Sequence, residues 1–332
     1  MVRLGKLKVN YFILGCTILV LSACAGSSNN KTESQASVSP LALKKNNPTP
    51  LFNADSCFAF VKAQVDFGPR VPGTKAHLRC ANYLEEKLKT FHFEVKEQHG
   101  TVQTFDGKQF DLKNIIGSFN LSAKSRIMVS SHWDSRPFAD EDEVQKDSPI
   151  DAAIDGASGV GVALEIARNL AIQNPSVGVD IVFFDIEDYG DNGSMDSWCL
   201  GSHYWSQNLP PSGYTPKYGV LLDMVGAKGA TFPKESNSVE FAPQVVDRLW
   251  DIANAQGYGN IFLNETISFV GIDDHIWVNR AGIPCVDIIH YDKQERGFGP
   301  YHHTHKDNMT LLDKVILKAV GQTLLEAIYT EK

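Results

Sequence analysis

The sequence lacks several patterns that mark common classes of protein. None of its six cysteines lies in a Cys-x-x-Cys pair, which argues against a metal site built from thiolates. It contains no Gly-x-Ser-x-Gly segment, so it offers no nucleophilic serine on the sharp turn of an α/β-hydrolase. No internal repeat is visible, which excludes a repeat architecture. The candidate chemistry therefore lies in carboxylates and histidines.

Basic residues are also scarce relative to acidic ones. The chain has 31 lysines and arginines against 39 aspartates and glutamates, which gives a formal net charge of −8. Loss of the first 23 residues, which carry three basic residues and no acid, changes that net charge from −8 to −11. Nucleic acid is not an expected partner, because its phosphates bind basic surfaces.

The N-terminus has the pattern of a bacterial export signal. Three basic residues precede an apolar stretch over 11–21, which is shorter than the ~20 apolar residues that a membrane span needs. The stretch ends in Leu-Ser-Ala-Cys, which resembles a lipobox. We therefore expect residues 1–23 to be a lipoprotein signal peptide and Cys24 to carry a lipid that anchors the protein in the bacterial cell envelope, facing the periplasm or the exterior. The alternative is a secretory signal in which Cys24 has no role.

Composition separates a tether from a folded domain. Residues 24–50 are rich in Ser, Asn, Lys, Thr and Pro and poor in large apolar residues, so we expect a disordered tether. Residues 51–332, about 280 in number, suit a single catalytic domain, because α/β domains of ~250 residues are common. A monomer is the expected state. The sequence leaves open whether four cysteines of this domain are buried thiols or include a disulfide: Cys57, Cys80, Cys199 and Cys285.

Helical and strand patterns alternate along the domain. Apolar residues recur every three or four positions in segments that we predict to be helices, over 54–65, 74–90, 160–172, 197–207, 239–255 and 311–329. Apolar or alternating segments predict strands over 91–104, 110–120, 126–131, 181–184, 218–224 and 283–290. Apolar strands between helices indicate a sheet covered on both faces. The predicted fold class is a three-layer α/β fold with a mixed, mostly parallel central sheet whose first strands are antiparallel.

Histidines and carboxylates follow the predicted strands at the edge of the sheet where α/β proteins bind ligands. Each of these side chains alone could be a helix cap or a solvated loop residue. Together they would repel one another unless a cation or a proton compensated their charges. They are His132, Asp155, Glu187, Asp188, Asp223 and His303.

Imidazole and carboxylate groups without thiolates suit a catalytic zinc site, in which three protein ligands leave one position open. Asp155, Asp188 and His303 would form such a set. Glu187 lies beside Asp188 and would not bind the metal, so we assign it as general acid and base. Three further side chains could hold a second zinc ion or orient the ligands by hydrogen bonds: His132, Asp134 and Asp223.

Asp273, Asp274 and His275 form a second cluster, at the start of a short segment that runs to Ala281. One interpretation is helix capping, with Asp273 or Asp274 at the N-cap and His275 in the first turn. The other interpretation is a role in the active site. Both can hold together, because a capping carboxylate keeps one oxygen for another partner.

Seven segments occur in the order found in a known superfamily. From residue 54 to the C-terminus the chain resembles the zinc aminopeptidase and glutaminyl cyclase superfamily, and within it the glutaminyl cyclases. The resemblance implies the aminopeptidase-like, phosphorylase/hydrolase-like fold. It rests on Phe67-Gly68-Pro69-Arg70-Val71-Pro72-Gly73, Ser131-His132-Trp133-Asp134-Ser135, Asp155-Gly156-Ala157-Ser158-Gly159, Phe183-Phe184-Asp185-Ile186-Glu187-Asp188, Leu221-Leu222-Asp223-Met224, Asp273-Asp274-His275-Ile276 and His302-His303-Thr304.

The resemblance also implies a role for each site residue. One zinc ion would be held by Asp155, Asp188 and His303, with Glu187 as the proton shuttle. Asp223 and Asp273 would form hydrogen bonds near the substrate amine. The chain departs from the animal cyclases at two positions, since they usually have Glu at the position of Asp188 and Trp at that of His302. We therefore expect His302 and other aromatic residues to wall the substrate: Trp133, Trp198 and Phe298.

The implied reaction converts the N-terminal glutamine of a peptide or protein into pyroglutamate and releases ammonia. The main alternative is an aminopeptidase on the same scaffold, with two zinc ions and a bridging water activated by Glu187. Zinc content would distinguish them, because one ion favours cyclisation and two favour hydrolysis. A third possibility is a surface lipoprotein that only binds peptides or glycans.

Overall fold

A central sheet of six strands, covered by helices, carries the candidate site. The computed structural model describes residues 48–209, 215–268, 271–292 and 297–332, which belong to one compact unit. The predicted signal peptide, Cys24 and most of the predicted tether lie outside these residues. The tether's last residues pack on the domain, since Pro48 and Pro50 accept hydrogen bonds from Gln173 and Gln322. No helix within the described ranges has the length and apolar character needed to cross a membrane.

The strand pairing agrees with the predicted mixed sheet. Its order is β1-β2-β4-β3-β5-β8, and a separate two-stranded sheet joins β6 and β7. The pairs β1 with β2 and β2 with β4 are antiparallel, whereas β4, β3, β5 and β8 run parallel. The strands are β1 (Glu94–Gln103), β2 (Gln109–Phe119), β3 (Arg126–His132), β4 (Gly178–Phe184), β5 (Gly219–Asp223), β6 (Phe232–Lys234), β7 (Phe262–Thr266) and β8 (Cys285–Ile289).

Helices cover both faces of the sheet, as predicted. On one face α1, α3 and α8 pack together, and on the other α4 packs against α7. The helices are α1 (Ala54–Val65), α2 (Lys75–Thr90), α3 (Ala157–Ile172), α4 (Leu200–Gln207), α5 (Ser236–Phe241), α6 (Pro243–Ala255), α7 (Asp274–Arg280) and α8 (Lys314–Thr330).

Alternation along the strands divides the apolar core into two layers. In β3, Ile127 and Val129 join the core beneath α1, α3 and α8, whereas Met128 joins Trp205 of α4 and Val278 of α7. Successive side chains of a strand point to opposite faces, so a strand that is apolar throughout must be covered on both sides. Cys57, Cys80, Cys199 and Cys285 are all buried free thiols in this core, which answers the question that the sequence left open.

Two parts of the chain differ from the predicted elements. The helix predicted over 239–255 is two helices, because Pro243 lacks the backbone N–H that would continue α5 and instead takes the first position of α6. The strands β6 and β7 had no prediction. Both are short, and β7 is half exposed, so neither gives a continuous apolar run.

Gly159 lets the first turn of α3 lie against the ends of two strands. A Cβ atom built at this position would lie 2.3 Å from the backbone oxygen of Leu222 and 2.4 Å from Oγ of Ser131. These residues belong to β5 and β3, and the turn that precedes α3 carries Asp155. The absence of a side chain at Gly159 therefore sets how closely Asp155 approaches the strand ends.

We expect Gly159→Ala to destabilise the protein by about 1–3 kcal/mol, because the added methyl group overpacks a backbone contact that cannot relax without moving α3. Chemical denaturation of the purified protein measures this change. Gly297→Ala is the matched control, since a Cβ atom there meets nothing within 4 Å. Equal stability of the two variants would contradict the role assigned to Gly159.

Candidate metal centre

The predicted ligands meet at the carboxyl edge of the parallel strands. Nε2 of His303 lies 3.1 Å from Oδ1 of Asp188 and 3.8 Å from Oδ2 of Asp155. All three side chains are at least 94% buried. They come from the loop after β8, the loop after β4 and the turn before α3. The structure thus brings together three groups that lie far apart along the chain.

His132 lies between Asp155 and Asp223 and contacts both. Its Nε2 lies 2.9 Å from Oδ1 of Asp155 and 3.3 Å from Oδ1 of Asp223. Asp134 has a different role, because its carboxylate accepts the backbone N–H groups of Glu187 and Asp188 at 3.1 and 3.3 Å. Asp134 therefore orients the loop that carries the proposed acid/base and a ligand.

A break in strand geometry lets Glu187 and Asp188 both reach the site. Ile186, directly before them, has φ 51°, and left-handed backbone also occurs at Met224 (φ 49°) and His303 (φ 52°). Such a conformation is uncommon for residues other than glycine, and strain of this kind is concentrated at functional sites. Each of these three residues is a site residue or directly adjoins one.

Burial and neighbouring charges shift the pKa values of the site. Burial, followed by the charge of Asp155, raises the pKa of Asp188 well above its usual value. Burial also raises the pKa of Glu187, and the charge of Asp188 adds to that effect while His132 opposes it. Burial and then Arg136 lower the pKa of His303 to about 4, which keeps the imidazole neutral. A neutral imidazole is the form that binds a metal.

Two buried residues for which there was no prediction also support the ligands. Asp307 accepts the backbone N–H groups of Ile154 and Asp155 at 2.7 and 3.0 Å. Arg136 donates to the backbone oxygen of Asp188 at 3.0 Å. Arg136 follows the segment that contains His132, and that position was the only sequence signal for it; no pattern around Asp307 indicated its role.

A cleft of about 150 Å³ opens beside the ligands. Its walls include three of the four residues predicted to contact substrate, namely Trp198, Phe298 and His302, and also Asp223 and Asp273. Residues that had no prediction complete the lining: Asn192, Met195, Met224, Gly271, Ile272 and Ile289.

Trp133 is not at this cleft. It is fully buried, its ring stacks on His77 with centroids 4.1 Å apart, and its Nε1 donates to the backbone oxygen of Lys113. Because His132 faces the site, the next side chain in extended backbone points away from it. The interpretation of Trp133 as part of the substrate wall is therefore wrong.

Asp273, the first residue of the cluster Asp273-Asp274-His275, both caps a helix and lies at the cleft. It is the N-cap of α7, where its side chain accepts the backbone N–H of Asp274, and it also lines the cleft. Glu187, which also lines the cleft, contacts Cys199, whose Sγ lies 3.3 Å from Oε1 of Glu187. Glu187, Cys199 and Asp273 each place an oxygen or sulfur atom within 4.8 Å of the others.

The donor set fits zinc. Two carboxylates and an imidazole nitrogen form the kind of set found at catalytic zinc sites, and the nearby thiol of Cys199 is directed at Glu187. Several buried atoms in this part of the structure also lack hydrogen-bond partners among the described residues: Oδ2 of Asp188, Oδ1 of Asp223, Oδ2 of Asp273, Nδ1 of His303 and both ring nitrogens of His132. Buried polar atoms normally have partners, so these atoms suit a site that binds a cation.

Comparison with known proteins agrees with this geometry. Peptidase family M28 matches residues 114–328. The chain belongs to this family. Among its curated relatives, the glutaminyl-peptide cyclotransferase of Bos taurus is 26% identical over 288 residues, which cover 77% of this chain and 76% of that protein.

Two solved structures are more similar to this chain in sequence than that curated relative is. A glutaminyl cyclase of Bacteroides thetaiotaomicron bound to N-acetylhistamine is 48% identical, with a TM-score of 0.83, and the match covers 86% of this chain and 100% of that one. A Zn-dependent exopeptidase of Parabacteroides distasonis is 46% identical, with the same TM-score of 0.83 and the same coverage of 86% and 100%. The relatives thus support zinc as the cofactor, and their names include both a cyclase and a peptidase.

We expect Asp188→Asn to lose zinc, because a neutral amide replaces a charged ligand beside His303. Chelation should lower the Tm of the wild type, since zinc stabilises the folded state that binds it, but should leave the Tm of the variant unchanged. Metal analysis and thermal unfolding measure both effects. Asp247→Asn, which removes an exposed carboxylate paired with Lys234, should behave as the wild type. Full zinc content in Asp188→Asn would refute the ligand assignment.

Proposed function

We propose that this M28 protein is a zinc-dependent glutaminyl-peptide cyclotransferase, which converts N-terminal glutamine of peptides or proteins into pyroglutamate and releases ammonia. One observation carries the proposal: a cleft that contains Glu187 beside Asp188 and His303, in a chain 48% identical to a glutaminyl cyclase over that protein's whole length. The reaction needs no protein nucleophile, because the substrate's own α-amine attacks.

The chain's residues account for the steps of this reaction. Zinc, when bound by Asp155, Asp188 and His303, supplies a Lewis acid that polarises the γ-carbonyl of the glutamine. The α-amine nitrogen forms a bond to the γ-carbon, and the bond from that carbon to the amide nitrogen breaks. Glu187 takes the proton from the amine and returns it to the leaving nitrogen, which departs as ammonia.

The walls of the cleft hold the substrate in the bent conformation that ring closure needs. Asp223 and Asp273 face the cleft and accept hydrogen bonds from the α-amine in this proposal. Trp198 and His303 are stacked with centroids 5.7 Å apart, so an aromatic surface adjoins the metal ligands directly. Because the nucleophile and the carbonyl belong to one residue, positioning alone supplies several kcal/mol of the barrier reduction.

The proposed cyclase holds one zinc ion. His132, whose Nε2 lies 2.9 Å from Oδ1 of Asp155, acts in this proposal as a partner that orients Asp155 rather than as the ligand of a second ion.

A zinc aminopeptidase remains the second candidate function. The similarity to the Zn-dependent exopeptidase favours it, and His132, Asp155 and Asp223 offer atoms within 4.8 Å of one another, as a second metal would need. Metal content and the reaction product separate the two functions. Two tightly held ions with release of N-terminal residues would support the aminopeptidase.

We expect Glu187→Gln to keep its zinc and its fold but to lose about 10²–10⁴-fold in kcat, the usual contribution of a general acid/base. The assay incubates the purified enzyme with two peptides that begin with Gln and with Leu, and mass spectrometry detects loss of ammonia or of a residue. The wild type should cyclise the first peptide and leave the second intact. Unchanged turnover in Glu187→Gln would contradict the role of Glu187, and removal of Leu would contradict the cyclase.

We also propose that the protein is exported and held at the cell envelope by a lipid on Cys24. The motif over residues 21–24 and the polar composition of residues 25–47 support this proposal. A lipid-anchored cyclase would act on the N-termini of exported proteins or of peptides outside the cytoplasm.

We expect Cys24→Ala to abolish lipid attachment, because the thiol is the atom that would be acylated. Labelling of cells with a radioactive fatty acid, followed by fractionation of membrane from soluble protein, measures the effect. Cys57→Ala is the matched control, since Cys57 is buried in the folded domain. A Cys24→Ala protein that still incorporates the label and stays in the membrane fraction would refute the anchor.

A further inference from the structure

A thiol lies beside the proposed acid/base at the wall of the cleft. Cys199 is completely buried, and its Sγ lies 3.3 Å from Oε1 of Glu187. Asp273 completes a group of three residues, each of which places an oxygen or sulfur atom within 4.8 Å of the other two. Glu187 and Asp273 line the cleft, so the group can be reached from it. The reaction steps proposed above do not use Cys199.

Backbone hydrogen bonds hold Glu187 and Cys199 side by side. The N–H of Cys199 donates to the backbone oxygen of Glu187 at 3.0 Å, and the N–H of Leu200 donates to that of Ile186 at 3.0 Å. Cys199 directly precedes α4 with φ 58°, a conformation that is uncommon for residues other than glycine. Asp273 caps α7, which packs against α4. The spacing of the three side chains is therefore set by the fold before any ligand binds.

The group keeps atoms for a ligand. Asp273 is only 6% exposed, and its Oδ2 has no hydrogen-bond partner among the residues that the structure describes. Its Oδ1 accepts the backbone N–H of Asp274. Oε1 of Glu187 faces the thiol of Cys199, which is a weak donor. Because buried polar atoms normally have partners, a cation among these three side chains would complete the group.

The donor atoms indicate which cation fits. One thiolate and two carboxylates are ligands that zinc accepts, with bonds of ~2.3 Å to sulfur and ~2.0–2.2 Å to oxygen. Such bonds place two ligands of one ion at a separation similar to the 3.3 Å between Sγ of Cys199 and Oε1 of Glu187. Magnesium and calcium bind oxygen ligands and do not suit a site that contains sulfur. The charges agree, because burial and then the negative charge of Glu187 raise the pKa of Cys199 well above its usual value.

We propose that Glu187, Cys199 and Asp273 form a second, inhibitory site for a thiophilic divalent cation, which zinc occupies when it exceeds one equivalent. On binding, the S–H bond of Cys199 breaks, its proton goes to the solvent, and the electron pair of the sulfur binds the ion. The site of Asp155, Asp188 and His303 needs no thiol to lose its proton, so it fills first.

An ion at this second site stops the proposed reaction in two ways. It engages the carboxylate of Glu187, which can then no longer take the proton from the substrate amine. It also occupies the place beside Asp273 where that amine binds. Inhibition is therefore competitive with the peptide: KM rises, and kcat at saturating peptide does not change. The inhibition rests on the proposed function, whereas binding of the ion does not.

The kinetic test titrates Zn²⁺ into enzyme that holds one zinc ion, during cyclisation of a Gln-initiated peptide. The wild type should be inhibited, and more peptide should restore its rate. In Cys199→Ser the inhibition constant for Zn²⁺ should rise by at least about tenfold, because the soft sulfur ligand is gone. Cys57→Ser, which changes an equally buried free thiol in α1, should be inhibited as the wild type is. Each protein is compared with its own rate without added zinc.

The binding test uses Cd²⁺ and needs no activity. Cadmium bound to a thiolate has a sulfur-to-metal charge-transfer band in the ultraviolet, whereas cadmium bound by Asp155, Asp188 and His303 has none. The band should be equal in the wild type and Cys57→Ser and smaller in Cys199→Ser. Anomalous diffraction from wild-type crystals soaked in Cd²⁺ should place an ion within bonding distance of Sγ of Cys199, and this measurement needs no variant.

Four results would overturn the proposal: an equal cadmium band in Cys199→Ser and the wild type, no cadmium beside Cys199 in the soaked crystals, no inhibition of the cyclising wild type by excess zinc, or inhibition that Cys199→Ser leaves unchanged. A wild-type enzyme that does not cyclise a Gln-initiated peptide would instead contradict the proposed function. In that case the cadmium band and the soaked crystals still decide whether the second site exists.

Discussion

Mutual repulsion among buried carboxylates is the constraint on which this structure depends. The carboxyl edge of the parallel strands holds Asp155, Asp188 and Asp223 together with Glu187, and burial raises the pKa values of all but Asp155. His132 offsets part of this charge, since its interactions lower the pKa of Asp155 in spite of burial. His132 and Arg136, whose Nη1 lies 3.5 Å from Oδ1 of Asp188, compensate only part of the charge of four carboxylates. A divalent cation between Asp155, Asp188 and His303 would provide the missing positive charge, so the proposed zinc site is also the part of the fold that most needs a cation.

The strained backbone at this edge shapes the same site. Left-handed residues such as Ile186 and His303 let side chains from separate loops point toward one spot. Asp134, Arg136 and Asp307 hold those loops by hydrogen bonds to their backbone groups, and Arg136 also lies 3.5 Å from Oδ1 of Asp188. The loops thereby keep a fixed conformation around the ligand oxygens.

Much of the fold could be predicted from the sequence, because its strongest signals are local or periodic. The apolar run of β4 and the three-to-four spacing of α1 directly specify a buried strand and a covered helix, and α1 has the predicted bounds of Ala54–Val65. The convergence of the proposed ligands was predictable for a different reason: they lie in loops beside strand ends, and the ends of parallel strands converge. The backbone break before Glu187 could be expected because two adjacent side chains of a regular strand cannot face the same site.

The remaining features depend on contacts between distant segments. Asp307 supports Asp155 across 152 residues of chain, and no local pattern records such a contact. Trp133 was predicted to contact substrate. Alternation along the extended backbone instead points its side chain away from the site that His132 faces, and its ring stacks on His77.

Diffraction data collected at the zinc absorption edge from crystals of the purified protein would test the central claim most directly. The account predicts a single strong anomalous peak within bonding distance of Asp155, Asp188 and His303. Two peaks of equal height, with the second held by His132 and Asp223, would contradict it, and so would the absence of any peak among these side chains.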